Sequence, residues 1–152
     1  MTRDKENRRA TNANDVQLLG RRLVGEWRTE ATHPEVPGTV VHGTARVEWL
    51  EGEQFLIFRS RSDHPDFPDS ISIIGDTDGL AMHYFDSRGI HRMYGMTVTS
   101  GGWEIARDAP EFSQRLWVTF ADEDNTMIGK SKLSEDHETW NDDLEINYYR
   151  AR

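Results

Sequence analysis

The sequence predicts an all-β protein: an antiparallel, up-and-down β-barrel of about ten strands with one short N-terminal helix. Three observations carry that reading. Clusters of Gly, Pro, Asp, Asn and Ser punctuate the chain after Gly25 at spacings near the ~8–12 residues of all-β folds. The runs between them are of strand length. No segment after Gly25 has the periodicity of a crossover helix, so neighbouring strands have to pair antiparallel. At 152 residues, one domain with one core is expected.

The helix is read between Asn14 and Val24. Val16, Leu19, Leu23 and Val24 recur near helical spacing, Asn14 or Asp15 supplies an N-cap oxygen, Gly20 interrupts the segment and Gly25 ends it. Residues 1–12 are polar and are expected to form a disordered tail, leaving 13–152 as a single barrel domain. Neither a signal-peptide core nor a membrane-length apolar run is present, so a cytoplasmic location is expected.

The strands are expected at Glu26–Thr32, Thr39–Leu50, Gln54–Ser62, Ser70–Asp76, Leu80–Asp86, His91–Val98, Trp103–Asp108, Phe112–Phe120, Thr126–Ser134 and Thr139–Arg150. An open sheet of this size tends to curl or split, and closing it removes both exposed edges. The longest connection, Asp63-His64-Pro65-Asp66-Phe67-Pro68-Asp69, carries two prolines and a Phe and reads as a stiff flap over one barrel mouth.

Composition narrows the function classes. Lys and Arg number 18 against 27 Asp and Glu, a formal net charge of −9. This disfavours nucleic acid, which needs a concentrated basic face. Only 36% of residues are hydrophobic and the mean hydropathy is −0.76, yet five Trp, four Tyr and six Phe supply large rings for a core. Zero cysteine removes disulfides, thiolate nucleophiles and Cys-ligated metals. The histidines His33, His42, His64, His83, His91 and His137 are scattered without H-x-x-x-H or H-E-x-x-H spacing, so no metal site is expected. Serine lacks the G-x-S-x-G elbow, and Ser100-Gly101-Gly102 reads as a hairpin turn. Ala121 to Glu145 holds nine acidic residues, read as a solvated side of the barrel.

Gly25-Glu26-Trp27, opening the first strand after the helix, resembles the G-x-W signature of the calycins, the superfamily of lipocalins and fatty-acid-binding proteins. The resemblance implies a lipocalin-like barrel whose Trp closes one end under a cation from the last strand, a place that Arg150 fills. The ten-strand count is more similar to fatty-acid-binding proteins and nitrobindin. His83-Tyr84-Phe85-Asp86-Ser87-Arg88-Gly89, Phe112-Ser113-Gln114-Arg115 and Trp140 to Arg150 resemble a bacterial family of such barrels with no assigned function. Nitrobindin-like haem proteins continue past the Trp with a G-x-G pattern and place a His late in the chain. Here Arg28-Thr29-Glu30-Ala31 follows, and the one late histidine is His137 in an acidic turn, so haem is the least favoured cofactor reading and none is expected.

Alternation along the strands nominates interior residues. Trp103, Ile105 and Arg107 share one face, as do Phe112, Gln114, Leu116, Val118 and Phe120. Trp140, Asp142, Leu144, Ile146, Tyr148 and Arg150 share another. Between Leu80 and Asp86 both faces are partly apolar, so His83 and Tyr84 compete for the inward position. An interior Arg107 needs a partner, for which Asp142, Tyr84 or a ligand carboxylate qualifies. The expected ligand-binding set is His83, Tyr84, Tyr94, Trp103, Arg107, Gln114 and Trp140, around a small hydrophobic ligand in a monomer or homodimer. The alternative is an isomerase, cyclase or hydratase using the same pocket, with His83 or Tyr94 as general acid/base and Arg107 stabilising negative charge.

Overall fold

The computed structural model describes residues 15–151; the expected tail and the Asn14 cap lie outside them. A helix over 15–23 leads into ten strands: β1 Gly25–Thr32, β2 Val41–Trp49, β3 Leu56–Ser62, β4 Ser70–Asp76, β5 Leu80–Asp86, β6 His91–Thr99, β7 Gly102–Asp108, β8 Ser113–Ala121, β9 Thr126–Ser134 and β10 Asn141–Arg150. Each falls on one of the expected runs, its ends within two residues. Every strand pairs antiparallel with its sequence neighbour, and β10 returns to β1, so the sheet closes into a barrel. No helix among the described residues is long and apolar enough to cross a membrane.

Register fixes which side chains point inward, because the side-chain period in a strand is two. Trp27 lies opposite Ala45 on one side and Arg150 on the other, and Thr29 opposite Gly43 and Tyr148. The same face continues around the barrel through Met127, Val118, Trp103, Met96, Met82, Ile74, Leu56 and Val47, all buried. Most of these apolar residues lie toward the helix end.

That end is plugged. Val16, Leu19 and Leu23 of the helix are 2%, 0% and 0% exposed, and burying an aliphatic side chain fully is worth ~1.5–3 kcal/mol. Gly20 does not interrupt the helix: a Cβ there would lie 2.1 Å from the Trp49 indole, so its missing side chain lets the helix seat on the barrel. Trp27 Nε1 donates to the Leu23 carbonyl at 2.9 Å. Arg22 reaches from the helix to Asp124 through two 2.9 Å hydrogen bonds and covers the Phe120 ring.

The opposite end is built differently. In an up-and-down barrel every connection from an odd to an even strand lies at one end, here 33–40, 63–69, 87–90, 109–112 and 135–140. All five prolines of the chain (34, 37, 65, 68 and 110) fall in these connections, where fixed φ angles stiffen the backbone. The helix-end connections are tight turns such as Asp78-Gly79, with φ of 83° and 107°.

One irregularity alters an expectation. A bulge between Asp142 and Glu145 inserts an extra residue into β10, so Asp142 pairs with Lys132 on the outer face while Ile146 and Tyr148 stay inside. Asp142 is therefore not a partner for Arg107; its carboxylate lies 3.7 Å from Lys132 Nζ.

Candidate functional site

The proline-rich mouth gathers polar side chains from four adjacent strands. Tyr84 (β5) sits opposite Arg92 (β6), and Arg107 (β7) opposite Gln114 (β8). Tyr94 faces inward two residues after Arg92. Its hydroxyl donates to Gln114 Oε1 at 2.8 Å, bridging over β7. Burial raises the Tyr94 pKa, and the neighbouring Arg92 and Arg107 only partly offset this, so the phenol keeps its proton at neutral pH.

Phe112, from the 109–112 connection, organises the two cations. The guanidinium carbons of Arg92 and Arg107 each lie 5.0 Å from its ring centroid, within cation–π range. Arg107 is largely buried, with 17% of its side chain exposed, and its nearest carboxylate oxygen, on Glu111, stands 3.7 Å away. That is an ion pair but too long for a hydrogen bond. Its Nη1 is buried with no hydrogen-bond partner. A buried cationic donor left unmatched is costly; Trp103 Nε1 and Arg115 Nη1 are unmatched in the same way.

On the β5 side, the Tyr84 hydroxyl donates to Asp86 Oδ2 at 2.8 Å, and Arg88 clamps the same carboxylate through Nη2 at 2.7 Å and Nε at 3.2 Å. Burial alone would raise the Asp86 pKa; the bonds from Arg88 and Tyr84 overcome it and hold the carboxyl at about 2. Tyr84 is pushed upward, first by burial and then by Asp86. Across the mouth, His33 Nε2 meets Asp143 Oδ1 at 2.7 Å, and His33 Nδ1 accepts from the Glu35 amide at 3.1 Å. Both ring nitrogens are engaged, so this pair is a clip tying the 33–40 connection to β10 rather than a general base. The flap closes toward it: Phe67 packs edge-on against His33 at 6.4 Å and His64 at 5.6 Å. Asp69 and Ser87 exchange hydrogen bonds of 3.1 and 2.8 Å that fasten the flap to the β5–β6 turn. A cleft of about 470 Å³ runs beside the flap, lined by Ser62 to Asp69, Ser87 and Arg88. It does not reach Arg107.

Five of the seven expected ligand residues face inward: Tyr84, Tyr94, Trp103, Arg107 and Gln114. Four of them meet at the mouth. Trp103 packs in the core at 3% exposure, four residues or ~13 Å along β7 from Arg107. Two are corrected. His83 is on the outer face, between Ile73 and the exposed Met93, with Nε2 3.1 Å from Thr77 Oγ1 and its ring stacked on His91 at 6.3 Å. It takes no part in the mouth, either as ligand residue or as acid/base. Trp140 also lies outside, 5.3 Å from the guanidinium of Arg115, whose paired residue Lys132 is outer-facing; the β10 bulge breaks the alternation that had placed it inside. Arg92, His33 and Asp143 were missed, and Phe112, though placed on the Gln114 face, was left out of the ligand set. Arg92 shares a strand face with Tyr94 and was within reach of alternation; His33 and Asp143 sit in a connection and at the bulge, where alternation is silent.

No protein-family model matches the chain, and no curated protein matches it. Solved structures do. The chain is similar to Rv2717c from M. tuberculosis, at 14% identity and a TM-score of 0.65 over 92% of this chain and 99% of that one. It is also similar to the S-type phycobiliprotein lyase CPES from Guillardia theta, at 11% identity and a TM-score of 0.53 over 90% and 93%. At these identities the likeness shows the lipocalin-like barrel fold alone.

Proposed function

We propose that the barrel binds a small, mostly apolar molecule at its proline-rich mouth, with a polar end held by Arg107, Tyr94 and Gln114. The buried, unmatched Nη1 of Arg107 beside the Tyr94–Gln114 pair carries this reading, since a few convergent polar groups among aromatic side chains are what orients a ligand. The fold neighbours are compatible with it. The stiff mouth loops support it too, because a preorganised rim lowers the ordering cost of binding.

The enzymatic alternative finds less support. His83 faces outward and both nitrogens of His33 are committed, while Tyr94, which holds its proton, is left with the role of an acid and not of a base. Haem is not favoured either: the strand histidines His42, His83 and His91 all face outward, so the barrel wall offers no histidine as axial ligand. Native mass spectrometry of the protein purified from a small-molecule extract tests the binding reading. The wild type is expected to retain a non-covalent mass that Arg107→Gln loses; equal retention by both would sink it.

A further inference from the structure

Glu111 is the mouth's unexplained group. It belongs to a connection whose Pro110 fixes φ, and that connection delivers two consecutive side chains to the same guanidinium: the Glu111 carboxylate at 3.7 Å and the Phe112 ring at 5.0 Å. The Glu111 side chain is 66% exposed, while that of Arg107 is 17% exposed. An exposed carboxylate at this distance, screened by water, is a weak and displaceable partner. Phe112 against the Arg92 and Arg107 guanidiniums, and Tyr84 and Tyr94 edge to face at 6.4 Å, make up an aromatic wall at this end of the barrel.

We infer that the site takes an aromatic monoanion, and that Glu111 is an internal competitor for Arg107 which such a ligand displaces, its ring settling against the aromatic wall and its anionic oxygens on the guanidinium. The inference rests on the mouth being the ligand site. It adds the ligand's charge and ring character, and it makes Glu111 a residue that sets affinity by opposing it. Charge-assisted, bidentate contact from a buried guanidinium is the chemistry that distinguishes such an anion from a neutral ring of the same shape.

Two fluorescent probes separate these statements: 1-anilinonaphthalene-8-sulfonate and N-phenyl-1-naphthylamine, which share a ring framework and differ by the sulfonate. The wild type is expected to bind the sulfonate about tenfold tighter than the neutral amine. Glu111→Gln, an exposed and nearly isosteric change, is expected to tighten the sulfonate a further ~two- to fivefold and to leave the amine unchanged. Arg107→Gln is expected to abolish the difference between the probes. If Glu111→Gln leaves sulfonate affinity unchanged or weakens it, the inference is overturned. In that event, Arg107→Gln weakening both probes alike would keep the mouth as the binding site, whereas Arg107→Gln weakening neither would overturn the mouth reading as well.

Discussion

Arg150 lays its guanidinium carbon 4.1 Å from the centroid of the Trp27 indole while its terminal nitrogens donate to the carbonyls of Arg22, Val24 and Asp124 at 2.6, 3.0 and 3.1 Å. One side chain thereby joins the helix, the first strand, the last strand and the β8–β9 turn, and seals the helix end of the barrel. Arg150→Ala removes the cation–π contact and strands three carbonyls near the plug. A loss of ~2–4 kcal/mol is expected, read as a lowered urea midpoint with little change in slope. Arg150→Lys is expected to recover less than half of it, since a point charge cannot reach all three carbonyls. Full stability in Arg150→Ala would show that the plug does not depend on this contact.

Gly20 gives a test in which two effects oppose each other. Alanine in a helix is worth up to ~1 kcal/mol over glycine, but here the added methyl would meet the Trp49 indole at 2.1 Å. Overpacking costs of ~1–3 kcal/mol win, so Gly20→Ala is expected to be destabilised. Combining it with Trp49→Leu is expected to remove the penalty. A more stable Gly20→Ala single variant would mean that the helix does not seat as described.

Acid stability should report on Asp86. Its folded pKa of about 2 lies below the ~3.9 of an unfolded aspartate, so its carboxylate contributes stability that is complete above about pH 4 and disappears as pH falls through 2. Asp86→Asn is expected to cost ~1–3 kcal/mol at pH 7 and to flatten the stability-versus-pH curve between about pH 4 and 2. An unchanged curve in that window would detach Asp86 from the turn that Arg88 and Tyr84 form around it.

Hydrogen exchange addresses the His33 clip. The Glu35 amide donates to His33 Nδ1, and His33 Nε2 meets Asp143. His33→Ala is expected to accelerate exchange of the Glu35 amide and its neighbours in 33–40, leaving β1 and β2 protected. Protection of Glu35 in the variant would show that the clip does not order this rim.

The contrast between what the sequence revealed and what it withheld is physical. The ten strands were legible because turn residues are local signals, and the Trp27–Arg150 pairing was implied by the resemblance that Gly25-Glu26-Trp27 carries. Arg107 and Gln114 were legible because β7 and β8 alternate cleanly. Between Leu80 and Asp86 the choice failed because both faces carry apolar groups: Ala81 and Phe85 share the outer face with His83, as Leu80 and Met82 share the inner face with Tyr84. Trp140 was misplaced by one inserted residue, which reverses every side chain beyond it and leaves no mark in the composition. The mouth itself had a signal that went unused. Once strands are counted in an up-and-down barrel, odd-to-even connections fall at one end, and every proline in the chain is in one of them.

The most direct test of the account locates a bound probe by backbone amide chemical shifts during titration with 1-anilinonaphthalene-8-sulfonate. The account predicts saturable changes concentrated at Arg92, Tyr94, residues 107–114 and Asp143, with Trp27, Arg150 and His83 unmoved. Changes confined to the outer face around His83, Phe85 and Met93, or to the flap cleft between Ser62 and Asp69, would contradict it.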